Sequence, residues 1–391
     1  MKFPPFTGLD EEQKRILGAP ARESILVLGP PGTGKTVAAF FRAAYLQEHH
    51  SKTGNKSTRP QVIMYNKVLS KYASKREGDV AKGVASSTMH SWVWGWHRSF
   101  SGQKPPFLPN DRFAYDWMKI LATAAPIAIA DPQKVNFGHL IVDEGQDFPE
   151  DMYRVLSAIV QMANGPDGRP AITVFADDNQ RMNPKQNSTV KEIEQAMAIP
   201  KDRVYLLKKN YRNSKQIALF ARHYYVGAKT GVPDPPDRIG KSMPRITRLR
   251  QIDAISNKVA IFSKNNPGMQ VGILCPGNGI RRTLYSQVES RVRGTRLMVQ
   301  TYGSGDDVDP MDFERAGTIT ILNFQSAKGL EFDAVFIVDP FVDGAGAMSD
   351  QSKMQLYVMA SRARDYLELF LLNPPGSLAS FLPPEELYES A

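Results

Sequence analysis

Short apolar runs alternate with longer stretches of helical spacing along most of the chain. In the first half these runs are SILVL at 24–28, QVIMY at 61–65, HLIVD at 139–143 and AITVF at 171–175. In the second half they are VGIL at 271–274, TITIL at 318–322, AVFIV at 334–338 and YLELFL at 366–371. Runs of this kind are typical of strands buried on both faces of a parallel sheet. The sequence therefore predicts an α/β protein with two parallel-sheet lobes, residues 1–205 and 206–391.

Two regions interrupt this alternation. Residues 92–136 begin with WVWGWHRSF and continue in helical spacing, which predicts a small helical insertion on the first lobe. Residues 295–316 contain GSGDDVDP, and this turn-rich composition predicts an exposed loop.

Composition narrows the class of protein. The 391 residues are 42% hydrophobic and 23% charged, which is ordinary globular usage, and the formal charge of +9 favours a polyanionic partner without identifying it. The single cysteine, Cys275, excludes an internal disulfide, and six scattered histidines give no structural zinc cluster. The longest apolar run, 120–130, is interrupted by Pro126 and is too short to span a bilayer. We expect a soluble, cytoplasmic protein without a membrane partner.

A glycine-rich loop follows the first predicted strand. Residues 29–36, GPPGTGKT, match G-x-x-x-x-G-K-[S/T] and precede the helical run VAAFFRAAYL. In such a loop, backbone N–H groups surround a triphosphate, a lysine contacts the β and γ oxygens, and a hydroxyl binds Mg²⁺. The residues predicted to bind nucleotide here are Gly29, Pro30, Pro31, Gly32, Thr33, Gly34, Lys35 and Thr36, with Thr36 also a ligand of Mg²⁺.

Two adjacent carboxylates end the strand at 139–143. In LIVDEGQDF, Asp143 and Glu144 emerge from a buried apolar run. Buried carboxylates without a partner would cost several kcal/mol, so a bound cation is the natural explanation. We predict that Asp143 holds Mg²⁺ and that Glu144 orients the attacking water as general base.

Six segments resemble, in order, the motifs of the UvrD/Rep group of superfamily 1 helicases. They are LDEEQKRIL at 9–17, DEGQD at 143–147, VFADDNQ at 174–180, LKKNYRNS at 207–214, NFQSAKGLEFDAVFIV at 323–338 and YVMASRARDYLELF at 357–370. The resemblance covers nearly the whole chain. It implies a P-loop NTPase fold with two RecA-like lobes, ATP and Mg²⁺ as cofactors, and ATP hydrolysis that depends on nucleic acid.

By this resemblance, three residues would bind the base and the ribose. Gln13 would contact the adenine edge and Tyr211 would stack on the adenine ring. Glu331 would bond the ribose, and Gly329 of the same motif is counted among the nucleotide-binding residues. Val37 stands where the family usually has an arginine that sandwiches the adenine, so base selectivity would depend on the first two residues.

The resemblance also assigns residues to the γ-phosphate. Gln180 would sense it, and Arg212 and Arg362 would reach it from the second lobe. A planar, permanently charged guanidinium stabilises the charge that develops in the transition state, and one such group is worth roughly 10³ to 10⁵ in rate. Because Lys35 is on the first lobe, hydrolysis would be coupled to lobe motion.

A further set of residues would contact a single strand. By resemblance these are Asn66, Lys67, Thr88, His90, Gln325, Ser326 and Lys328. Amides, hydroxyls and lysines suit contact with phosphates without reading sequence. Structural roles stay open for His90 and for Lys328. The three tryptophans of WVWGW could stack on bases, but packing within the insertion is favoured.

Two further departures bear on function. After Gln180 the family has an aromatic segment whose Trp stacks on a base, whereas this chain has RMNPKQNST. A short segment separates Cys275 from 323–338, where full helicases carry a large insertion that contacts duplex. The chain is therefore interpreted as a minimal two-lobe motor, with a protein partner able to supply the missing duplex contact.

Three classes of function follow from these observations. The first is a helicase or translocase that moves 3′ to 5′ along single-stranded nucleic acid, DNA in preference to RNA. The second is a nucleotide-switched regulatory or sensor subunit of a repair or phage-defence complex that hydrolyses ATP without unwinding. The third, a small-molecule P-loop kinase, is disfavoured because it leaves the later motifs without a purpose.

Overall fold

A computed structural model describes most of the chain. The described residues are 5–64, 84–165, 168–180, 187–227, 230–303, 311–313, 315–341, 348–372 and 381–390. The chain divides into two compact units. The N-terminal unit comprises Lys2–Pro30 and Gly34–Leu207, and the C-terminal unit comprises Lys208–Ala391 together with Pro31–Thr33.

The N-terminal unit is built on a six-stranded parallel sheet with the order β3-β2-β6-β7-β1-β8. Its strands are β1 (Ile25–Leu28), β2 (Pro60–Met64), β3 (Ala85–Thr88), β6 (His139–Val142), β7 (Ala171–Ala176) and β8 (Val204–Leu206). Its described helices are α1 (Glu11–Leu17), α2 (Lys35–Thr53), α3 (Met89–Ser101), α4 (Trp117–Ala130), α5 (Pro132–Val135), α6 (Glu150–Met162) and α7 (Val190–Ala196).

Apolar side chains cover both faces of this sheet. Leu26 and Leu28 of β1 belong to one core cluster, whereas Ile25 and Val27 belong to another. Successive side chains of a strand point to opposite faces, so each strand contributes to both cores. This accounts for the continuous apolar runs in the sequence and confirms the predicted parallel α/β architecture.

The insertion at 92–136 contains more than helices. Helices α3 and α4 are joined by an antiparallel pair, β4 (Phe107–Leu108) and β5 (Asp111–Tyr115). Helix α4 continues through Pro126. The sequence prediction of a helical insertion is confirmed, and the short hairpin is an addition that the helical spacing did not indicate.

The C-terminal unit has a seven-stranded sheet with the order β11-β12-β10-β13-β14-β9-β15. Its strands are β9 (Arg245–Arg248), β10 (Val271–Cys275), β11 (Met298–Tyr302), β12 (Thr318–Asn323), β13 (Phe332–Val338), β14 (Ala363–Leu371) and β15 (Glu389–Ser390). Its described helices are α8 (Lys215–Arg222), α9 (Ile252–Asn265), α10 (Asn278–Val292) and α11 (Asp350–Ala360). All six strand pairings are parallel.

One prediction for this unit is wrong. The segment at 295–316 was expected to be an exposed loop throughout, but Met298–Tyr302 forms an edge strand that pairs with Thr318–Asn323. The Gln300 side chain donates to Thr320 Oγ1 at 2.9 Å across this pair. A polar edge strand lacks the apolar run by which the other strands were recognised.

In the described part of the chain, no helix combines the length and the hydropathy that a bilayer crossing requires.

Candidate active site

The glycine-rich loop lies between β1 and α2. Gly32 and Gly34 have φ angles of 88° and 81°, in the left-handed region that favours glycine. Gly34 is also the N-cap residue of α2, which begins at Lys35. A Cβ on Gly32 would lie 2.7 Å from Asn210 Oδ1, so the loop requires glycine there for space as well as for conformation.

Lys35, in the first turn of α2, is buried at 6% exposure. Its Nζ donates to the carbonyl of Gly29 at 2.6 Å and forms an ion pair with Asp177 Oδ2 at 3.4 Å. The ammonium group is therefore held at the loop rather than extended into solvent. An ammonium at this point is a suitable positive charge for phosphate oxygens.

Thr36 and Asp143 meet at the carboxyl end of β6. The Thr36 hydroxyl donates to Asp143 Oδ2 at 2.8 Å, while the buried Oδ1 of the same carboxyl has no hydrogen-bond partner among the described residues. Burial, and secondarily the charge of Glu144, raise the pKa of Asp143 to about 7. A divalent cation would offset the burial of the Asp143 charge and its repulsion by Glu144. Mg²⁺ commonly takes one or two protein ligands plus phosphates and water. Thr36 and Asp143 therefore fit the predicted metal-binding role.

Glu144 is buried at 7% exposure and has a φ of 54°. Left-handed conformations are uncommon for residues other than glycine, and they concentrate at functional sites. Gln146 Nε2 donates to Glu144 Oε2 at 2.7 Å, and Gln146 Oε1 accepts from the backbone N–H of Asp177 at 2.9 Å. The Gln146 amide thus holds the predicted general base against the end of the neighbouring strand.

Asp177 is a site residue that the sequence analysis missed. It is fully buried after β7, and its Oδ2 accepts from Gln180 Nε2 at 3.0 Å as well as pairing with Lys35. Burial raises the pKa of Asp177, while the charge of Lys35 lowers it. The position of Asp177 at the end of an apolar strand, the signal that identified Asp143, was also present in the sequence.

Gln13 has a structural role at the start of α1. Its Oε1 accepts from the backbone N–H of Asp10 at 3.2 Å, and Asp10 Oδ1 accepts from Gln13 N at 2.7 Å. This is a reciprocal capping box. Contact with an adenine edge would therefore have to come from the Nε2 group of Gln13.

The buried Arg42 fixes the other end of α1. Its Nη1 donates to the carbonyl of Leu17 at 2.7 Å and its Nη2 to that of Pro20 at 2.9 Å. The Leu17 carbonyl lies in the last turn of α1, where it has no partner within the helix, and Pro20 lies just beyond that turn. Burial lowers the pKa of Arg42 to about 10, which leaves it charged at neutral pH.

In the C-terminal unit, two asparagines hold the N-Y-R segment against the start of β14. Asn210 Oδ1 accepts from the backbone N–H groups of Arg212 at 3.0 Å and Asn213 at 3.1 Å. Asn213 Nδ2 then donates to the carbonyls of Ser361 at 3.1 Å and Ala363 at 2.5 Å. These carbonyls flank Arg362, so the segments carrying the two predicted arginines are joined directly.

Arg212 and Glu331 form an ion pair in which Nε and Oε2 are 2.9 Å apart. Burial tends to raise the pKa of Glu331, but the charge of Arg212 is the largest opposing contribution, and the pKa is lowered to about 2. Arg362 is buried at 1% exposure, and its backbone carbonyl accepts from Phe332 N at 3.1 Å. The structure therefore brings together residues predicted separately for the ribose and for the γ-phosphate.

The remaining nucleotide residues have simpler surroundings. Tyr211 is 42% exposed, with the Lys209 ammonium 5.4 Å from its ring centroid. The backbone N–H of Tyr211 donates to the carbonyl of Gly32 at 2.9 Å. Gly329 has a φ of 78°. An exposed aromatic ring is compatible with stacking on a base, and this role stays a prediction.

The predicted strand contacts differ in their exposure. Asn66 and Lys67 lie outside the described residues. His90 and Gln325 are exposed, Ser326 is half-buried, and Lys328 is buried. Thr88 caps α3 by accepting from Ser91 N at 3.3 Å. The contact of each with nucleic acid stays a prediction.

Comparison with protein families gives two matches. Residues 13–184 match the AAA domain, and residues 318–370 match the UvrD-like helicase C-terminal domain. The first match includes the glycine-rich loop and the acidic pair, and the second includes the segments with Glu331 and Arg362. A comparison with curated proteins found no match.

Solved structures with a similar fold include helicases. The helicase MrfA bound to DNA has a TM-score of 0.54 and 12% identity, and the alignment covers 98% of this chain and 49% of MrfA. The chain thus spans about half the length of MrfA. The C-terminal domain of a possible DNA helicase from Lactobacillus plantarum WCFS1 has a TM-score of 0.34 and 18% identity, with 46% of this chain and 98% of that domain covered.

The fold and the family matches agree. The two parallel sheets and the AAA domain match make the fold that of a P-loop NTPase with RecA-like lobes. The two matched domains support a nucleic-acid-dependent, helicase-like ATPase. The order of the motifs and the two matched domains together support a UvrD-like superfamily 1 helicase.

Proposed function

We propose that this chain is an ATP-driven motor that moves 3′ to 5′ along single-stranded nucleic acid, and that this strand is DNA. The observation that carries the proposal is the arrangement in which Lys35 and Thr36 each meet a buried carboxylate, Asp177 and Asp143. Such an arrangement fits a nucleoside triphosphate with Mg²⁺ better than a purely structural role, because Asp143 Oδ1 is buried and accepts no hydrogen bond within the described part of the chain. We further propose that the boundary between the two lobes lies between residues 205 and 206.

Each group has a defined part in the proposed hydrolysis. Lys35 binds the β and γ oxygens, and Thr36 with Asp143 holds Mg²⁺, which supplies charge neutralisation when bound. Glu144, held by Gln146, orients the attacking water and accepts its proton. Arg212 and Arg362 stabilise the charge that develops on the γ-phosphoryl oxygens. Gln180 senses the γ-phosphate.

DNA is proposed as the strand on two grounds. The formal charge of +9 suits a phosphate backbone. MrfA, which resembles this chain in fold, is described as bound to DNA. The direction of movement is proposed from the resemblance to the UvrD/Rep group alone.

A second candidate function is a nucleotide-dependent switch without unwinding. It is favoured by the connection between β10 and β12, in which the described residues form only α10 and β11. A chain without a large insertion at this position would need a partner to contact duplex. The same observation leads us to propose that unwinding by the isolated chain is weak.

One set of titrations tests the proposal. ATP turnover is measured while single-stranded DNA, single-stranded RNA or duplex is added, and strand displacement is measured in parallel. We expect the largest stimulation from single-stranded DNA. Stimulation without movement along the strand would favour the switch. If none of the three polymers stimulates turnover, the proposed function is wrong.

A further inference from the structure

The tryptophans of WVWGW have two different environments. Trp92 and Trp96 are buried and stacked on each other, with ring centroids 5.3 Å apart and an interplanar angle of 7°. Both also pack edge-on against Phe137. Trp94 lies on the opposite side of α3 and is 37% exposed. The first two are core residues, whereas Trp94 contributes its ring to the surface.

The exposed side of α3 combines this ring with basic groups. His90, Trp94 and Arg98 are exposed and follow one another at intervals of four residues, which places them along one face of the helix. The Lys104 ammonium is 5.7 Å from the Trp94 ring centroid. We call His90, Trp94, Arg98 and Lys104 the α3 platform.

We propose that the α3 platform binds single-stranded nucleic acid by stacking a base on Trp94. The inference rests on the proposed function. An exposed indole gives a stacking surface that accepts any base, while the arginine and the lysine beside it suit the adjoining phosphates. The sequence after Gln180, RMNPKQNST, contains no aromatic residue, whereas Trp94 offers an exposed ring elsewhere in the N-terminal unit.

The distribution of tryptophan makes the test selective. The chain has four tryptophans, and the three others, Trp92, Trp96 and Trp117, are buried at 5%, 7% and 4% exposure. Oligo(dT) is titrated into the full chain while tryptophan emission is recorded, and binding is measured independently by anisotropy of a labelled oligo(dT). We expect binding to quench emission, because a stacked base contacts the exposed indole.

Three variants give the expected and the contrary results. Trp94→Phe should abolish most of the quenching, and Trp94→Ala should weaken binding by about 5-fold or more. Phe113→Leu, at another exposed aromatic of the insertion (66% exposed), should leave the quenching and the binding of oligo(dT) unchanged. Quenching that persists in Trp94→Phe would overturn the inference. Failure of the wild-type chain to bind oligo(dT) by anisotropy would instead overturn the proposed function.

A second observation concerns Arg238, in the loop before β9. Its Nη2 donates to the carbonyl of Arg212 at 2.7 Å and to that of Arg364 at 2.6 Å, and its Nη1 pairs with Asp365. The carbonyl of Arg238 accepts from Lys215 N at 2.7 Å, in the first turn of α8. One side chain therefore bridges the backbone that carries Arg212 to the backbone two residues beyond Arg362.

The geometry points to Arg238 as a positioning residue for the two arginines at the γ-phosphate. It touches neither the substrate nor the reacting atoms in this role, and it acts by fixing the carbonyls of Arg212 and Arg364. Arginine suits this bridge because its planar guanidinium donates in several directions at once, whereas lysine offers a single flexible ammonium. This inference also rests on the proposed function.

Its test separates catalysis from stability. Arg238→Ala should lower kcat by about 10-fold or more while KM for ATP stays within about 2-fold. The reason is that the contacts of Arg212 and Arg362 with the γ-phosphoryl oxygens strengthen in the transition state. Arg238→Lys should recover only part of the loss. The matched control is Arg245→Ala, at an arginine of the same 40% exposure that pairs with Glu389, and its kcat should be unchanged.

The outcomes are distinguishable. The melting temperature is measured for each variant, and binding of ADP is compared with binding of ADP plus aluminium fluoride, a mimic of the transferring phosphoryl group. Loss of affinity for the mimic alone supports positioning. An equal loss of affinity for ADP and for ADP plus aluminium fluoride would overturn the positioning role of Arg238. A fall in kcat that is no larger than the fall in the folded fraction would also overturn it. Turnover by the wild-type chain tests the proposed function separately.

Discussion

At the scale of single residues, the N-terminal site contains several buried charged groups, and three of them, Lys35, Asp177 and Glu144, have polar partners. Lys35 pairs with Asp177, which also accepts from Gln180, and Glu144 accepts from Gln146. A buried ionic group left without its partner is strongly destabilising. Substitutions here therefore have to be read for catalysis and for stability together.

The general base can be tested without removing its hydrogen-bonding capacity. Glu144→Gln should abolish ATP turnover and retain nucleotide binding, because the phosphate-binding loop is unchanged but the base is lost. Lys35→Ala should abolish turnover and weaken binding. Lys52→Ala, at an exposed lysine near the end of the same helix, is the control and should behave as wild type. Turnover within a factor of about three of wild type in either site variant would contradict the assignment.

His139 predicts a pH dependence of stability. It is fully buried, with ring nitrogens 2.8 Å from the carbonyl of Ala21 and 2.8 Å from Thr173 Oγ1. Burial, and secondarily the charge of Arg42, lower its pKa from 6.5 to about 3. Between these values the unfolded chain binds a proton that the folded chain does not, so the free energy of unfolding falls as pH falls below about 6.5.

His139 takes up at most one proton on unfolding, and this limits its effect on the free energy of unfolding. The free energy of unfolding should drop by up to about 1.4 kcal/mol for this group between pH 7.5 and 5.5. Urea unfolding followed by tryptophan fluorescence at the two pH values measures it in the N-terminal unit. His139→Gln should be less stable at pH 7.5 and should lose this pH dependence. An equal pH dependence in variant and wild type would exclude His139 as its source.

At the scale of elements, the strands that the sequence predicted are the central ones. β1, β6, β7, β10, β12 and β13 are buried almost throughout, and they stand out as apolar runs. The strands that were missed include β3 (ASST), β8 (VYL) and β11 (MVQTY), which all lie at sheet edges. An edge strand has one open side and does not need an apolar sequence, so the pattern carries no signal for it.

The same reasoning separates the predicted from the missed site residues. Lys35, Thr36 and Asp143 were predicted from local signals, namely the spacing within one loop and the position at the end of a strand. Asn213 and Arg238 act through carbonyls about 150 and 126 residues away. Such a contact exists only once the chain has folded, and a single sequence does not contain it.

Gly145 predicts how tightly the loop after β6 is packed. A Cβ at this position would lie 2.4 Å from Val174 Cγ1 and 2.9 Å from the Tyr153 hydroxyl. Gly145→Ala should displace Glu144, lower kcat by more than about 10-fold and cost about 1 to 3 kcal/mol of stability. ATPase kinetics and urea unfolding check both effects.

The control for this variant is Gly268→Ala, where an added Cβ would meet nothing within 4 Å. It should retain wild-type kcat and stability within about 0.5 kcal/mol. If Gly145→Ala behaved like Gly268→Ala, the loop would be able to adjust, and the position of Glu144 would not depend on this packing.

At the scale of the whole molecule, charge predicts how strand binding responds to salt. Each phosphate neutralised on a single strand contributes about −0.7 to the slope of log affinity against log salt. Five such contacts would weaken binding about 100-fold between 50 and 200 mM salt. Anisotropy of labelled oligonucleotides of different sequence measures the slope, which should vary little among them. Binding that does not change with salt would contradict a phosphate-dominated interface.

The connectivity of the two sheets also sets an order of events during synthesis. β1 lies between β7 and β8, so the strand before the glycine-rich loop obtains its neighbours only when residue 206 has been made. The Asn213 amide finds its acceptor at Ala363 after a further 150 residues. At about 5 to 20 residues per second this interval is on the order of 8 to 30 s. During that time the nascent chain carries the glycine-rich loop, but the segments with Arg212 and Arg362 are not yet joined. If both arginines act at the γ-phosphate as proposed, ATP hydrolysis begins only when the second sheet is complete.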